Sequence, residues 1–339
     1  MTTKKGTADI VVLRKNTEAL STASYANCIQ NRLPNNIVHH ARTPTQEKEL
    51  ISTATVATGT GISKELLSYA EELKLFIVAS SGYNHLPMKE LKNNNVTVIN
   101  GAGIHAPGIA EQAIGYCLMF ARRLNEGIER HRNEEWRHYQ ASEFNGSTVT
   151  IVGLGSIGST IVDYLQGFNV NTIGVRYTPS KGGPTDSVIG FDEAEFHEAL
   201  SRTDYLILST PLSETTMNLI SEQELDTLPP RAVIINVSRG GVVNTNHLVS
   251  ALQKGDVAAA ALDVTDPEPL PVGHPLWKMR NVLITPHMGG HTPKHWDRLA
   301  DIVSKNVQTL EAGDNNFTNV VGRPKANENN RSTAAATKK

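Results

Sequence analysis

Short apolar runs alternate with amphipathic stretches along most of the chain, the pattern of an α/β fold built on parallel sheets. Up to residue 100 it predicts strands over 10–13, 54–58, 75–79 and 97–100, with helices such as 63–72 between them, enough for a small doubly wound unit. Residues 106–124 read as one long helix. Pro107 opens its first turn, and Ile109, Ala113, Ile114, Cys117, Phe120 and Ala121 recur at helical spacing, as expected of a core and subunit-interface face. From Thr148 the alternation restarts more strongly, with strands over 148–152, 172–176, 205–209, 233–237, 258–264 and 282–284. Five or six strands in this order make a dinucleotide-binding sheet. Residues 294–312 read as a closing helix, and 322–339 as a polar tail with no apolar periodicity, expected to be disordered.

A chain of 339 residues corresponds to about two domains. Thirty-two Lys and Arg against 34 Asp and Glu leave a net charge of −2, so no basic excess points to nucleic acid or an anionic membrane. Cys28 and Cys117 stand outside any CxxC or Cys/His pair and read as reduced thiols. The first apolar stretch is too short for a signal peptide, and no run of about 18 uncharged apolar residues occurs. The expectation is a soluble, cytoplasmic protein.

The segment VTIVGLGSIG, residues 149–158, places a strand, the glycines Gly153, Gly155 and Gly158, and a helix in the order a dinucleotide-binding turn requires. Gly153 would allow the tight turn, Gly155 the approach of a pyrophosphate and Gly158 close packing of helix on strand, with the helix N-terminus aimed at the anion. The plainer reading is a glycine turn in some other βαβ unit. Gly59-Thr60-Gly61 lacks the ending of a phosphate loop and reads as a turn before Ser63, a helix N-cap. At the end of the second strand an NAD site has an acidic residue for the ribose, whereas an arginine suits a 2′-phosphate. Here Arg176 stands first, with Thr178, Ser180 and Lys181 behind it and no acid before Asp186. The plainer reading of Arg176 is an exposed surface arginine.

Three polar residues follow separate strands of the second sheet, on the side where such sheets bind ligands: Arg239 in NVSRGG, Glu268 in DPEPLP and His287 in ITPH. The glycines after Arg239 would let a ligand approach the backbone, and the prolines around Glu268 stiffen its loop. Moving a hydride to a 2-oxo acid needs a cation for the carboxylate and a proton donor for the carbonyl oxygen. Arginine and histidine meet those needs, and Glu268 is the candidate carboxylate to bond the far imidazole nitrogen and favour imidazolium.

At these residues the chain resembles the D-isomer-specific 2-hydroxyacid dehydrogenases. The likeness runs from about Ile51 to Val321 and rests on GLGSIG, STPLSETT, NVSRGGVV, ALDVTDPEPLP and ITPHMGGHT, in family order and spacing. It implies two doubly wound α/β parallel-sheet domains. The larger, 103–292, would be a Rossmann dinucleotide-binding domain, the smaller, 1–102 plus 293–322, a substrate domain, and 323–339 a disordered tail. The resemblance implies Arg239 as the substrate-anchoring arginine, His287 as acid/base and Glu268 as its partner. It also implies that Asp263 holds the nicotinamide carboxamide, and that Ser156, Ile157, Thr210, Pro211, Thr216, Val237, Ser238 and Gly290 line the cofactor beside Gly153, Gly155 and Gly158. Ser81 and Gly82, in ASSGYNHL, match the family loop whose backbone N–H groups receive the substrate carboxylate.

Two departures change what the resemblance implies. Arg176 replaces the acidic ribose residue, which favours NADP(H), with NAD(H) as the alternative cofactor. Tyr83, Asn84 and His85 replace a more usual Asp-containing ending, so the substrate class does not transfer. In phrasing, above all GVRYTPSKGGPTD, the chain is similar to haloarchaeal members, although −2 is far from a halophile's acidic surface. The expectation is an NADP(H)-dependent reductase of a small 2-oxo acid to a D-2-hydroxy acid, acting as a homodimer. Its rival is a nucleotide-sensing, corepressor-like binding protein of the same family; the complete triad favours the enzyme.

Other features have plainer readings. His287, His291 and His295 have the spacing of metal ligands on a helix, but Gly289, Gly290 and Pro293 interrupt it, so no metal is expected. His39 and His40 read as solvated. Trp136 reads as a packing residue, while some relatives insert an aromatic from this region into the partner subunit's cleft.

Overall fold

The computed structural model describes residues 7–14 and 21–324. The chain divides into two compact units: one takes in the described residues up to Ile104 together with those from Pro293 on, the other is His105–Thr292. The tail expected to be disordered lies, from residue 325 on, outside the described residues.

In the first unit β1 (Asp9–Val12), β2 (Ile37–His40), β3 (Val56–Gly59), β4 (Leu75–Val78) and β5 (Thr97–Asn100) alternate with α1 (Thr22–Arg32), α2 (Pro44–Ile51), α3 (Lys64–Leu67) and α4 (Met88–Asn93). Every residue of β3, β4 and β5 is buried, as in strands covered on both faces. Ser21, Thr43 and Ser63 cap α1, α2 and α3 by accepting a backbone N–H in the first turn, and Ser63 is the cap expected from the sequence.

The second unit opens with α5 (Ala106–Ala121) and α6 (Leu124–Arg132). It continues through β6 (Thr148–Val152), α7 (Ser156–Leu165), β7 (Asn171–Val175), β8 (Ser187–Ile189), α8 (Glu193–Ser201), β9 (Tyr205–Leu208), α9 (Glu222–Thr227), β10 (Val233–Asn236), α10 (Thr245–Lys254), β11 (Ala259–Leu262) and β12 (Val282–Ile284). The chain then returns to the first unit as α11 (His295–Glu311) and β13 (Val320–Gly322).

Among the described residues the first sheet has the order β13-β5-β4-β3-β1-β2, parallel except for β13, which runs antiparallel to β5. Its core includes Trp296 of α11, whose ring stacks on Tyr25 of α1 at 4.6 Å, with Leu299, Val303 and Val307 fully buried behind it. The second sheet has the order β12-β11-β10-β9-β6-β7-β8 and is wholly parallel. Strand order reverses between β6 and β9, the arrangement of a Rossmann domain, and ligands bind such sheets at the carboxyl ends beside that switch point.

The sequence pattern missed three edge strands, β2, β8 and β13, because a short strand with one free edge needs no continuous apolar run. His39 and His40 are therefore not simply solvated: they lie on β2, His39 Nε2 is 3.3 Å from Asp9 Oδ1, and His40 Nε2 shares a 2.6 Å hydrogen bond with the Thr22 hydroxyl. The long helix of 106–124 ends at Ala121, where Arg123 takes a left-handed φ of 50° and starts α6 in a new direction. The 63–72 helix shortens to α3, its carbonyls capped at once by the Ser68 N–H. Trp136 is 97% exposed and packs in no core of its own chain. No helix among the described residues is long and apolar enough to cross a membrane.

Candidate active site

At the end of β6 the phosphate loop has the geometry its glycines suggest. Gly153 has φ +99°, and a Cβ there would sit 2.9 Å from the Thr210 backbone after β9, so the two loops at the switch point touch. At Gly158 a Cβ would lie 2.0 Å from the Gly153 carbonyl oxygen, which only glycine avoids. A Cβ on Gly155 would meet nothing within 4 Å. Gly155 is also the N-cap of α7, with no side chain capping the helix. That open position, before uncapped N–H groups including those of Ser156 and Ile157, fits the pyrophosphate of a dinucleotide.

The segment after β7 folds back beside this loop. A Cβ on either Gly174 or Gly183 would be 2.5 Å from Leu154 Cδ1, the residue between the first two glycines of the motif. Arg176 is tied into its own loop by Nη1 donating to the Gly182 carbonyl at 2.6 Å. Asp186, the first acid on the segment, is at the other end of the sheet. Its Oδ2 accepts from the backbone N–H and hydroxyl of Thr172 at the start of β7, both at 2.7 Å, which holds its carboxyl below its ordinary value. The carboxyl end of β7 thus presents an arginine and no carboxylate from this loop.

Arg239, Glu268 and His287 follow β10, β11 and β12, three neighbouring parallel strands. Arg239 is exposed, and its Nη1 donates to the Ser238 carbonyl at 2.6 Å. Glu268 Oε1 is 2.6 Å from His287 Nδ1, with both side chains close to half exposed (42% and 47%), so Nδ1 is the nitrogen that this contact commits and Nε2 the one it leaves for other chemistry. His287 has a left-handed φ of 51°, a strain of about 1–3 kcal/mol that its surroundings must hold.

Gly240, the first glycine after Arg239, has a packing role. A Cβ on Gly240 would be 2.0 Å from the Thr265 carbonyl carbon and 2.5 Å from the Asp266 nitrogen, so Gly240 lets the loops carrying Arg239 and Glu268 pack backbone to backbone. The Asp266 carbonyl accepts from the Thr245 hydroxyl at 2.9 Å, completing that junction.

Several residues expected to line the cofactor are buried. Thr216, 1% exposed, uses its hydroxyl inside its own loop, donating to the Pro211 carbonyl at 2.7 Å, so it shapes the turn carrying Pro211 and offers no free side chain. Ser238 donates to Asn236 Oδ1 at 2.7 Å, and Thr210 and Val237 are also buried, leaving backbone as what they can present. The Gly290 carbonyl meets His105 Nδ1 at 3.0 Å. Ser81 and Gly82 belong to the first unit, after β4, where the Ser81 carbonyl accepts from Asn100 Nδ2 at 2.7 Å and Gly82 is exposed with open space at its Cα. His291 falls before α11 and His295 at its start, so the three histidines do not share a helix face.

Asp263 belongs to a polar cluster near His287 whose other members, Gln112, Tyr116 and Thr285, the sequence reading passed over. Gln112 and Tyr116 of α5, one helical turn apart, meet Thr285 and Asp263: Gln112 Nε2 donates to Asp263 Oδ1 at 2.8 Å, Thr285 Oγ1 donates to the same oxygen at 2.5 Å, and the Tyr116 hydroxyl reaches Thr285 Oγ1 at 2.5 Å. Gln112 Nε2 also donates to the Tyr116 hydroxyl. Burial pushes the Tyr116 hydroxyl above its ordinary value and keeps it protonated. The legible signal was two polar residues at i and i+4 on the apolar run of α5.

Residues 114–289 match the family described as D-isomer specific 2-hydroxyacid dehydrogenase, NAD binding domain. The chain is 33% identical over 276 residues to the human glyoxylate reductase/hydroxypyruvate reductase, covering 79% of this chain and 80% of that one. It is 32% identical over 262 residues to the glyoxylate reductase of Thermococcus litoralis, covering 75% and 78%. A solved D-isomer specific 2-hydroxyacid dehydrogenase of Xanthobacter autotrophicus, in complex with NADPH and MES, shares the fold with a TM-score of 0.73 at 24% identity, over 93% of this chain and 98% of that one.

Proposed function

Since the chain belongs to the D-isomer-specific 2-hydroxyacid dehydrogenase family and is a nicotinamide-dependent oxidoreductase, we propose that it reduces a small 2-oxo acid to the D-2-hydroxy acid with NADPH as the preferred donor. The observation that carries this reading is the 2.6 Å contact between Glu268 and His287 Nδ1, two strand ends from an exposed arginine. The glycine turn of Gly153, Gly155 and Gly158 would hold the dinucleotide, whose reduced nicotinamide would supply the hydride for the carbonyl carbon. Arg239 holds the carboxylate through its planar fork, and His287 Nε2 donates the proton that turns the carbonyl oxygen into a hydroxyl. Glu268 keeps the imidazole in the orientation and tautomer that donation requires.

The preference for NADPH rests on Arg176 beside the phosphate loop and on the diversion of Asp186 to Thr172. Glyoxylate and hydroxypyruvate, the acids named for the relatives, head the substrate list. The exposed apolar residues Leu124 and Ile128 on α6, with Trp136 beyond it, support a homodimer, which light scattering would test. The deciding experiment is oxidation of NADPH and of NADH with glyoxylate, hydroxypyruvate, pyruvate and longer 2-oxo acids, with chiral analysis of the product. Turnover of at least one acid, giving the D-isomer and a higher kcat/KM with NADPH, is expected. No turnover with any of them would overturn the reading.

A further inference from the structure

The loop after β4 is held by its carbonyls. The Gly101 N–H donates to the Ser80 carbonyl at 2.9 Å, Asn100 Nδ2 to the Ser81 carbonyl at 2.7 Å, the Ser80 hydroxyl to the Gly82 carbonyl at 2.7 Å and the Leu86 N–H to the Tyr83 carbonyl at 3.0 Å. In a trans peptide the C=O of one residue and the N–H of the next point opposite ways, so each carbonyl drawn to its own chain turns the following N–H away from that partner. Accordingly the N–H groups of Ser81, Gly82 and Tyr83 meet no acceptor among the described residues. Gly82 is exposed, and a Cβ on it would meet nothing within 4 Å, so an anion can come up to the backbone there. Asn100, the last residue of β5, is only 7% exposed and uses its amide from both ends. Nδ2 serves Ser81, and Oδ1 accepts from the Ala102 N–H at 3.2 Å, which fixes which way round the amide sits. Its backbone is clasped by Asn319, whose carbonyl accepts from the Asn100 N–H at 3.0 Å and whose Nδ2 donates to the Asn100 carbonyl at 3.2 Å.

We propose that Asn100 is a positioning residue for the substrate carboxylate. By holding the Ser81 carbonyl it aims the Gly82 N–H at the incoming acid, and the Ser80 hydroxyl does the same for the Tyr83 N–H through the Gly82 carbonyl. An asparagine suits this place because it gives an N–H to one backbone group and takes an N–H from another at once. Asn100→Asp keeps the shape but sets an acceptor oxygen against the Ser81 carbonyl, so the peptide between Ser81 and Gly82 loses what fixes its plane. Backbone N–H groups grip a carboxylate equally in the bound substrate and in the transition state, since its charge does not change in the reaction. The loss therefore belongs in KM.

The inference rests on the proposed reaction for its kinetic readout, and a binding readout stands without it. Oxalate, which has the carboxylate of a 2-oxo acid but no ketone to take a hydride, is titrated into the isotope-labelled full chain with NADPH present while the backbone amide signals are followed by NMR. In the wild type the signals of Ser81, Gly82 and Tyr83 should shift. Asn100→Asp should weaken oxalate by about tenfold or more, the order of one charge-assisted hydrogen bond, with the signals of Gly153–Gly158 as in the wild type. Amides of 81–83 that stay put in the wild type, or equal oxalate affinity in the variant, would overturn the proposal. Weakened oxalate binding in a protein that reduces none of the acids tested would keep Asn100 in its role and remove the reaction instead. In 2-oxo acid reduction, Asn100→Asp should raise the acid's KM by about tenfold or more, with kcat and the cofactor KM within about threefold of wild type. A loss confined to kcat would mark a residue that merely supports the fold and refute the role. Should Asn100→Asp fail to fold, Ser80→Ala and Ser80→Thr carry the test. The first should raise the acid's KM several-fold, and the second, which keeps the hydroxyl, should return it to near wild type; equal KM in the two variants would refute the role.

Discussion

Arginine at 239 cannot be exchanged for another cation without loss. One of its N–H groups is already committed to the Ser238 carbonyl, which sets the plane of the guanidinium. An ammonium has neither the fork nor that anchor, so Arg239→Lys should lose most turnover while circular dichroism and melting temperature stay near wild type; wild-type turnover would remove Arg239 from the site. His287→Ala should lower turnover by about 10² to 10⁴ with cofactor affinity largely kept, the range of general acid catalysis, and unchanged turnover would assign the proton elsewhere. Arg176→Asp should weaken NADPH and leave NADH less affected. A charge-assisted hydrogen bond worth about 1.5–3 kcal/mol corresponds to about one to two decades in the ratio of the two kcat/KM values, before repulsion by the new carboxylate is added. An unchanged ratio would leave Arg176 a surface residue.

Among the elements, β7 and β8 show how an edge strand is held in place. Asp186 accepts two hydrogen bonds from Thr172, and its own N–H donates back to the Thr172 hydroxyl at 2.9 Å, a reciprocal clasp at the start of both strands. A carboxyl held below its ordinary 3.8 contributes stability above that value and loses it as pH falls through the folded-state value. Asp186→Asn should therefore lower the urea midpoint at pH 7, and the difference from wild type should shrink as pH falls below the ordinary 3.8 and through the folded-state value. A difference independent of pH over that range would mean the clasp depends on shape and not on charge. The clasp was out of reach of pattern reading, because β8 is three residues long and neither Thr172 nor Asp186 belongs to an apolar period. By contrast, β6, β10 and β11 were legible. They are buried strands of a parallel sheet, and burial on both faces forces the continuous apolar runs that periodicity detects.

At the scale of the whole molecule, every residue proposed to hold the cofactor lies in the unit of His105–Thr292. NADPH alone at about 100 times its Kd should stabilise the native protein by about 2.7 kcal/mol. Hydrogen exchange should slow first around 153–158, 176–183 and 209–211, the loops the switch point brings together. Protection that appears first in residues 75–100 would move the cofactor site to the other sheet.

The alternation of strands and helices, the glycine turn and the three polar residues after β10, β11 and β12 are legible from residue order alone. Each of these depends on local chemistry: apolar period, backbone freedom and residue type at a strand end. What those residues touch depends on how the chain folds over long separations. Gly240 serves a junction between two loops, Thr216 a turn, and Asp186 the far end of the sheet, while Gln112 and Tyr116 join Asp263 and Thr285 from more than 140 residues away. Hydrogen-bond partners so distant along the chain leave no local period for a pattern to register, and only the folded sheet sets the distances that make them partners.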